Sequence, residues 1–244
     1  MNQVIENLLS RKSVRVFEDK TIPNDIKQAI LLAAVNAPTA GNQQLYTILD
    51  ITNQALKDRL AITCDDQPFI AKAPMVLIFC ADVQKWYDVF AECNCEPREP
   101  GSGDLILAVE DAVIAAQNAV TAAWSLGVGS CYIGDIMEQC EEHRALLNLP
   151  QYVFPATMLV FGYPTKQQLD RPKPPRCDLK YSVHENSYHR MDGAELRQML
   201  QKKPECQIFD EWCQAFCARK YNSDFSKELT RSVDAYLSDF PYKA

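Results

Sequence analysis

Three cations and a hydroxyl lie within five residues at Arg11-Lys12-Ser13-Val14-Arg15. If this segment is extended, Arg11, Ser13 and Arg15 project to one side of the chain, opposite to their two neighbours. Guanidinium groups bind phosphate through paired hydrogen bonds, and a serine hydroxyl can bond a sugar oxygen. The segment is therefore a candidate anion site. The alternative is a solvated basic turn after a helix, where cations are favoured by the helix dipole.

A second basic cluster, Arg171-Pro172-Lys173-Pro174-Pro175-Arg176, lies far along the chain. Its prolines reduce the entropy that is lost when the cations are held in place. We expect the two basic clusters to converge on one anion. A third candidate is the small polar loop 39–44, between a predicted helix and a predicted strand, because such loops often carry ligand contacts. The alternative for this loop is a simple connector.

The ten cysteines do not form a recognisable metal motif. Cys93-Asn94-Cys95 and the pair Cys213 and Cys217 are not Cys-x-x-Cys pairs, and we expect no metal site. The cysteines should be reduced thiols of a cytoplasmic protein, because the N-terminus lacks the basic start and apolar run of a secretory signal. No catalytic triad is recognisable around the three histidines, which are His143, His184 and His189.

The composition is that of an ordinary globular protein, with 47% hydrophobic and 23% charged residues in 244. A formal net charge of -7 argues against a nucleic-acid partner. The uncharged stretch from Ala112 to Gly134 is long enough to cross a membrane, but its small and polar residues favour a buried helix followed by a buried strand. We expect no membrane partner.

Helical and strand patterns alternate along the chain, which predicts an α+β or α/β fold. The helix Ile106–Leu126 is apolar on nearly every side, so it should be buried against a sheet or a second subunit. Residues 92–104 read as a mobile loop that ends where this helix begins. We expect a core domain over 1–190 and a helical extension over 191–244. The other predicted helices are 23–35, 54–62, 136–149, 194–201, 209–220 and 225–237, and the predicted strands are 46–52, 75–81, 130–133 and 156–162.

These motifs, in this order, resemble the nitroreductase family of flavin-dependent oxidoreductases. The resemblance rests on Arg11-Lys12-Ser13-Val14-Arg15-Val16-Phe17, on the loop Ala37–Gln44, and on Gly162-Tyr163-Pro164 followed by the second basic cluster. Cys64-Asp65-Asp66-Gln67 and the segment 183–188 look most like the branch of larger NADPH-dependent nitroreductases and flavin reductases. The resemblance implies a homodimeric α+β fold with a mixed central sheet, a long interface helix, FMN at the dimer boundary and a C-terminal segment that packs on the core or the partner.

The resemblance also implies the roles of particular residues. Arg11 with Lys173 and Arg176 would hold the FMN phosphate, although the choice among Arg171, Lys173 and Arg176 stays open. Ser13 would contact the ribityl chain, and Arg15 would stabilise negative charge on the reduced flavin. Pro38 and Thr39 would contact the flavin ring from the other subunit, and Gln67 would hydrogen-bond its polar edge. The full implied set is Arg11, Lys12, Ser13, Arg15, Pro38, Thr39, Gln67, Tyr132, Ile133, Gly134, Lys173 and Arg176.

The activity implied by the resemblance is hydride transfer from NAD(P)H through N5 of FMN to a nitroaromatic, quinone or flavin acceptor in a ping-pong mechanism. No protein acid or base need be catalytic, because the cofactor does the chemistry. The alternatives are flavin fragmentation or reductive dehalogenation on the same fold, and a flavin-binding protein without turnover. The choice between NADH and NADPH stays open. The loop with Cys93 and Cys95 is either part of a substrate gate or a surface hairpin.

Overall fold

The computed structural model describes residues 2–200 and 209–241. Short 3₁₀ turns occur at Ala40–Asn42, Gly134–Met137 and Leu179–Tyr181. The strands are β1 Tyr46–Asp50, β2 Met75–Asp82, β3 Gly129–Ile133 and β4 Val153–Gly162. The helices are α1 Gln3–Ser10, α2 Asn24–Val35, α3 Gln54–Thr63, α4 Pro68–Lys72, α5 Gln84–Glu92, α6 Ser102–Ser125, α7 Cys140–Leu147, α8 Lys166–Asp170, α9 Gly193–Leu200, α10 Phe209–Lys220 and α11 Asp224–Leu237.

The four strands form one sheet in the order β1-β2-β4-β3, and all three pairings are antiparallel. This confirms the α+β class but corrects the expectation of a mixed sheet. Among the described residues, parallel pairing is limited to an isolated bridge between Ser13 and Ser130. Each strand therefore runs opposite to its neighbours in the sheet, although helices separate the strands along the chain.

Strand β2 is buried along its whole length, as its continuous apolar run predicts. Met75, Leu77 and Phe79 point into the hydrophobic cluster that contains the alanines of α6. Val76 and Ile78 point into a second cluster, with α3 and α4, on the opposite face. The alternation of side chains along a strand therefore builds two cores, one on each side of the sheet.

Helix α6 begins at Ser102, four residues before the predicted start. The reason is a cap, since the Asp104 carboxylate accepts a hydrogen bond of 2.8 Å from the Gly101 backbone N–H. One face of α6, rich in alanine, is buried in the core. The opposite face exposes Ile106, Leu107, Val113 and Ile114. Within the described chain, α6 is the one helix long and apolar enough to cross a membrane.

The chain divides into two compact units, residues 1–171 with 228–244 and residues 172–227. This division does not coincide with the predicted boundary at residue 190. The end of the chain returns to the first unit, where Tyr236 is fully buried and its ring lies 5.0 Å from that of Phe154. Residues 201–208 and 242–244 of the predicted extension lie outside the described residues.

Candidate functional site

The segment after α1 is extended and lies along β3. The Val14 N–H donates to the Ser130 carbonyl at 2.9 Å, and Val14 is fully buried. The approach is so close that a Cβ on Gly129 would lie 2.6 Å from a Val14 methyl carbon, so glycine is required there. These contacts anchor the backbone of the segment at Val14.

The end of β4 holds the other end of this segment. Phe17 forms an antiparallel bridge with Pro164, and the Glu18 N–H donates to the Tyr163 carbonyl at 2.8 Å. A Cβ on Gly162 would lie 2.6 Å from the Phe17 ring. The motif Gly162-Tyr163-Pro164 therefore positions the first basic cluster.

Arg11, Ser13 and Arg15 all influence the Cys131 thiol of β3. Burial raises the pKa of the Cys131 thiol, while the charge of Arg15, hydrogen bonds from Ser13 and Arg15, and the charge of Arg11 oppose the rise. Burial also raises the pKa of Tyr132 to about 12, against the charge of Arg11. Arg11, Ser13 and Arg15 thus share neighbours in β3, as expected if their side chains project to the same side of the segment.

One guanidinium nitrogen of Arg11 has no hydrogen-bond partner. Its Nη1 atom is buried, and Arg11 as a whole is half-buried at the end of α1. A buried cationic donor without a partner costs free energy, so such groups are normally paired with an anion, a protein acceptor or water. The Arg11 head group therefore fits an anionic ligand such as a phosphate.

Lys12 does not join this group. Its Nζ atom donates to the carbonyls of Leu169 and Arg171, at and after the end of α8. The ammonium is thus engaged by backbone carbonyls at a helix C-terminus, where cations are favoured. Lys12 therefore ties the segment after α1 to the end of α8, within the first compact unit. The predicted cofactor contact of Lys12 stays a prediction.

Of the second basic cluster, Arg171 reaches the first cluster directly. Its Nη2 atom donates to the Ser13 carbonyl at 2.8 Å. Lys173 is half-buried and Arg176 exposed, and both belong to the second compact unit. Their predicted role in phosphate binding stays a prediction.

The loop 38–45 is held by a residue that the sequence did not single out, Asp111 of α6. Asp111 is 2% exposed, and its carboxylate accepts hydrogen bonds from Ala40 N–H at 3.0 Å and Leu45 N–H at 3.1 Å. The Thr39 hydroxyl donates to the same carboxylate and accepts from the Gln44 N–H at 2.7 Å. Four bonds thus fix the conformation of the loop.

The remaining predicted ring contacts are placed as follows. Pro38 is exposed at the start of the loop, and Gly134 is exposed where β3 ends. Ile133 is buried. The Gln67 side chain is half-buried and donates to the Cys64 carbonyl at 2.8 Å. The Arg15 guanidinium lies 5.9 Å from the Phe69 ring centroid, so the first basic cluster and the start of α4 are neighbours.

Glu138, after the end of β3, is a second residue that sequence reasoning missed. It is 5% exposed, and its Oε1 atom has no hydrogen-bond partner. Burial first, then the negative charges of Asp135, Asp65 and Glu228, raise its pKa from 4.5 to about 7. The sequence gives no sign of this raised pKa, because the pKa depends on burial and on carboxylates that only folding brings together.

Glu138→Gln is expected to raise thermal stability above pH 7 and to change it little near pH 4.5. In the native state Glu138 holds a proton between pH 4.5 and 7 that the unfolded chain releases, so stability falls as pH rises through this window. After a discount for solvent screening, the gain is about 1 to 2 kcal/mol, or roughly 2 to 8 °C in Tm. Melting curves from pH 4.5 to 8.5 measure it. The same change at exposed Glu92 should leave the pH profile unaltered, and equal profiles for wild type and Glu138→Gln would contradict the assignment.

His143 is fully buried, and both ring nitrogens are engaged, with the Ile136 carbonyl at 2.9 Å and the Thr63 hydroxyl at 2.8 Å. Burial lowers its pKa, so the ring is neutral and structural. Among residues 2–200 and 209–241, no cluster of three or more His, Cys, Asp or Glu side chains is suited to a metal ion.

Comparisons with known proteins bear on this arrangement. The model of the Nitroreductase family matches residues 8–163. The chain is 28% identical to an FMN reductase [NAD(P)H] of Bacillus subtilis, over 99% of this chain and 94% of the relative. It is 34% identical to an oxygen-insensitive NADPH nitroreductase of Salmonella typhimurium, over 79% of this chain and 77% of the relative. The structure of NfrA2 from B. megaterium superposes with a TM-score of 0.85 and 26% identity over the full length of both chains. The chain belongs to the nitroreductase family.

Proposed function

We propose that this protein is an NAD(P)H-dependent FMN oxidoreductase that works by a ping-pong mechanism. Reducing equivalents from the nicotinamide pass through FMN to a nitroaromatic, quinone or flavin acceptor. The names of two relatives support the cofactor and the donor, since one is an FMN reductase [NAD(P)H] and the other an NADPH nitroreductase. The observation that carries the proposal is the buried Nη1 atom of Arg11, which has no hydrogen-bond partner.

Different residues of this chain would bind the phosphate, the ribityl chain and the ring of FMN. Arg11, with Lys173 and Arg176 of the second basic cluster, would bind the phosphate, and Ser13 would bond the ribityl chain. When bound, FMN supplies a ring that accepts a hydride at N5 and passes electrons on. Arg15 would place positive charge where the reduced ring is negative. The other residues that would contact the ring are Pro38, Thr39, Gln67, Tyr132, Ile133 and Gly134.

We also propose that the protein is a homodimer built on α6. Helix α6 exposes apolar side chains, and α1, which contacts α6, also exposes Leu8 and Leu9. Exposed apolar surface is typical of an interface between subunits. Analytical ultracentrifugation measures the oligomeric state, and a monomer at micromolar concentration would contradict the proposed homodimer. The cytoplasmic location expected from the sequence stays a prediction.

The function is tested by the absorption spectrum of the purified protein, which reports bound flavin, and by NAD(P)H oxidation with menadione as acceptor. Both a flavin spectrum and turnover are expected. A protein that binds flavin but does not oxidise NAD(P)H would be a binding protein without turnover. A colourless protein that takes up no added FMN would exclude the proposal.

Arg15→Gln is expected to lower the two-electron midpoint potential of bound FMN by tens of millivolts. The reason is that a partly screened charge is worth about 1.4 kcal/mol here, which equals roughly 30 mV for a two-electron couple. Redox titration of the bound flavin measures it, and reduction by NAD(P)H should slow in stopped flow. Arg11→Gln is the control, since it should weaken FMN binding without moving the potential. An unchanged or raised potential in Arg15→Gln would assign Arg15 a structural role only.

A further inference from the structure

The extended segment after α1 has two backbone edges, and β3 bonds one of them. In an extended chain, the N–H and C=O groups of successive residues point to opposite edges. The Val14 N–H faces β3, where it donates to the Ser130 carbonyl at 2.9 Å. The backbone groups of Ser13 and Arg15 therefore face the other edge, and their hydrogen bonds must be made elsewhere.

Two side chains at and just after α8 make these hydrogen bonds. Arg171 donates from Nη2 to the Ser13 carbonyl at 2.8 Å, and Gln168 Oε1 accepts from the Arg15 N–H at 3.4 Å. Gln168 is 7% exposed, whereas Arg171 is exposed. The segment is thus bonded to β3 along one edge and to the region of α8 along the other.

Arg171 is bonded to the segment in both directions. Its carbonyl accepts a hydrogen bond from Lys12 Nζ, and its guanidinium donates to the Ser13 carbonyl. A backbone acceptor of this chain therefore accounts for the position of the guanidinium. Arg11 differs in this respect, because its buried Nη1 atom has no hydrogen-bond partner.

We propose that Arg171 and Gln168 are positioning residues of the flavin site, which hold the backbone of Ser13 and Arg15, and that Arg171 is not a ligand of the phosphate. The inference rests on the proposed function and narrows it, because the sequence left Arg171 among three candidate cations for the phosphate. A segment held in place before the flavin binds loses less conformational entropy on binding. Arg171 and Gln168 thus act on the affinity for the ribityl chain and the ring.

Riboflavin separates positioning from phosphate binding, because it has the ribityl chain and ring of FMN but no phosphate. Arg171→Met and Gln168→Ala should each weaken the binding of FMN and of riboflavin by the same factor, about three- to tenfold, the size expected for one lost hydrogen bond. Titration of the apo protein with each flavin, followed by flavin fluorescence, measures both affinities. Gln168 is uncharged, so its variant gives the pattern of a residue that acts through the backbone.

Two further variants serve as controls. Arg11→Ala should weaken FMN binding and leave riboflavin binding unchanged, because its proposed ligand is the phosphate. Lys166→Met removes the exposed cation at the start of α8 and should change neither affinity.

The visible circular dichroism of bound FMN is a second measurement, made at saturating FMN. Arg171→Met should change this spectrum, because Ser13 and Arg15 shift relative to the flavin. Arg11→Ala should leave it as in wild type.

A loss of FMN affinity in Arg171→Met with unchanged riboflavin affinity and an unchanged spectrum would make Arg171 a phosphate ligand and overturn the proposal. Unchanged affinity for both flavins in Arg171→Met and Gln168→Ala would also overturn it, because these contacts would then support only the fold. Both results require a wild-type protein that binds flavin. A wild-type protein that binds neither FMN nor riboflavin would instead refute the proposed function, and this proposal with it.

Discussion

Asp111→Ala is expected to lower the free energy of unfolding by about 3 to 5 kcal/mol, or roughly 6 to 20 °C in Tm. Three donors, Thr39 Oγ, Ala40 N–H and Leu45 N–H, lose their charged acceptor at once. Each hydrogen bond to a charged group contributes about 1.5 to 3 kcal/mol, and partial relaxation of the loop limits the sum. The loop is then free to leave the conformation that would meet the flavin.

Chemical denaturation of the apo and FMN-loaded proteins measures both consequences. The loaded protein should lose more stability than the apo protein, because the loop would contact the ring only in the loaded state. Glu110→Ala is the matched control, since Glu110 is the exposed neighbour of Asp111 on the same helix and its loss should change stability by no more than about 0.5 kcal/mol. If Asp111→Ala were as stable as Glu110→Ala, the Asp111 carboxylate would not hold the loop.

Local patterns predicted much of this fold. The continuous apolar run of β2 indicated a strand covered on both faces, and the structure places alternate side chains in two cores. The nearly all-round apolar pattern of α6 predicted burial, and its alanine-rich face is buried in the core. These predictions succeed because the spacing of apolar residues along a strand or helix shows which of its faces are buried.

The parts that failed depend on contacts between distant segments. The backbone carbonyls that Lys12 bonds lie 157 and 159 residues away along the chain, so these contacts left no local signal in the sequence. The hydrogen bonds that the Asp111 carboxylate accepts from the loop span 66 to 72 residues. The antiparallel pairing of all four strands was not predicted either, because strands separated by helices can pair in parallel or antiparallel.

Arg11→Ala is expected to weaken FMN binding about ten- to a hundredfold. A charge-assisted hydrogen bond to phosphate is worth about 1.5 to 3 kcal/mol, and 1.4 kcal/mol corresponds to a factor of ten. The apo protein should not lose stability, because the variant removes a buried donor that has no partner in the structure. Equilibrium dialysis or flavin fluorescence measures the affinity, and thermal unfolding with and without added FMN measures the stability.

The contrast between apo and loaded protein separates a ligand-binding role from a structural one. At a fixed excess of FMN, the loaded variant should lose the stabilisation that corresponds to its weaker binding, while the apo melting temperature stays the same or rises. Arg59→Ala, which removes an arginine paired with Glu142 on the surface, should change neither quantity appreciably. If Arg11→Ala lowered the melting temperature of the apo protein as much as that of the loaded protein, Arg11 would be a structural cation at the end of α1, and the phosphate would have to be held by the second basic cluster alone.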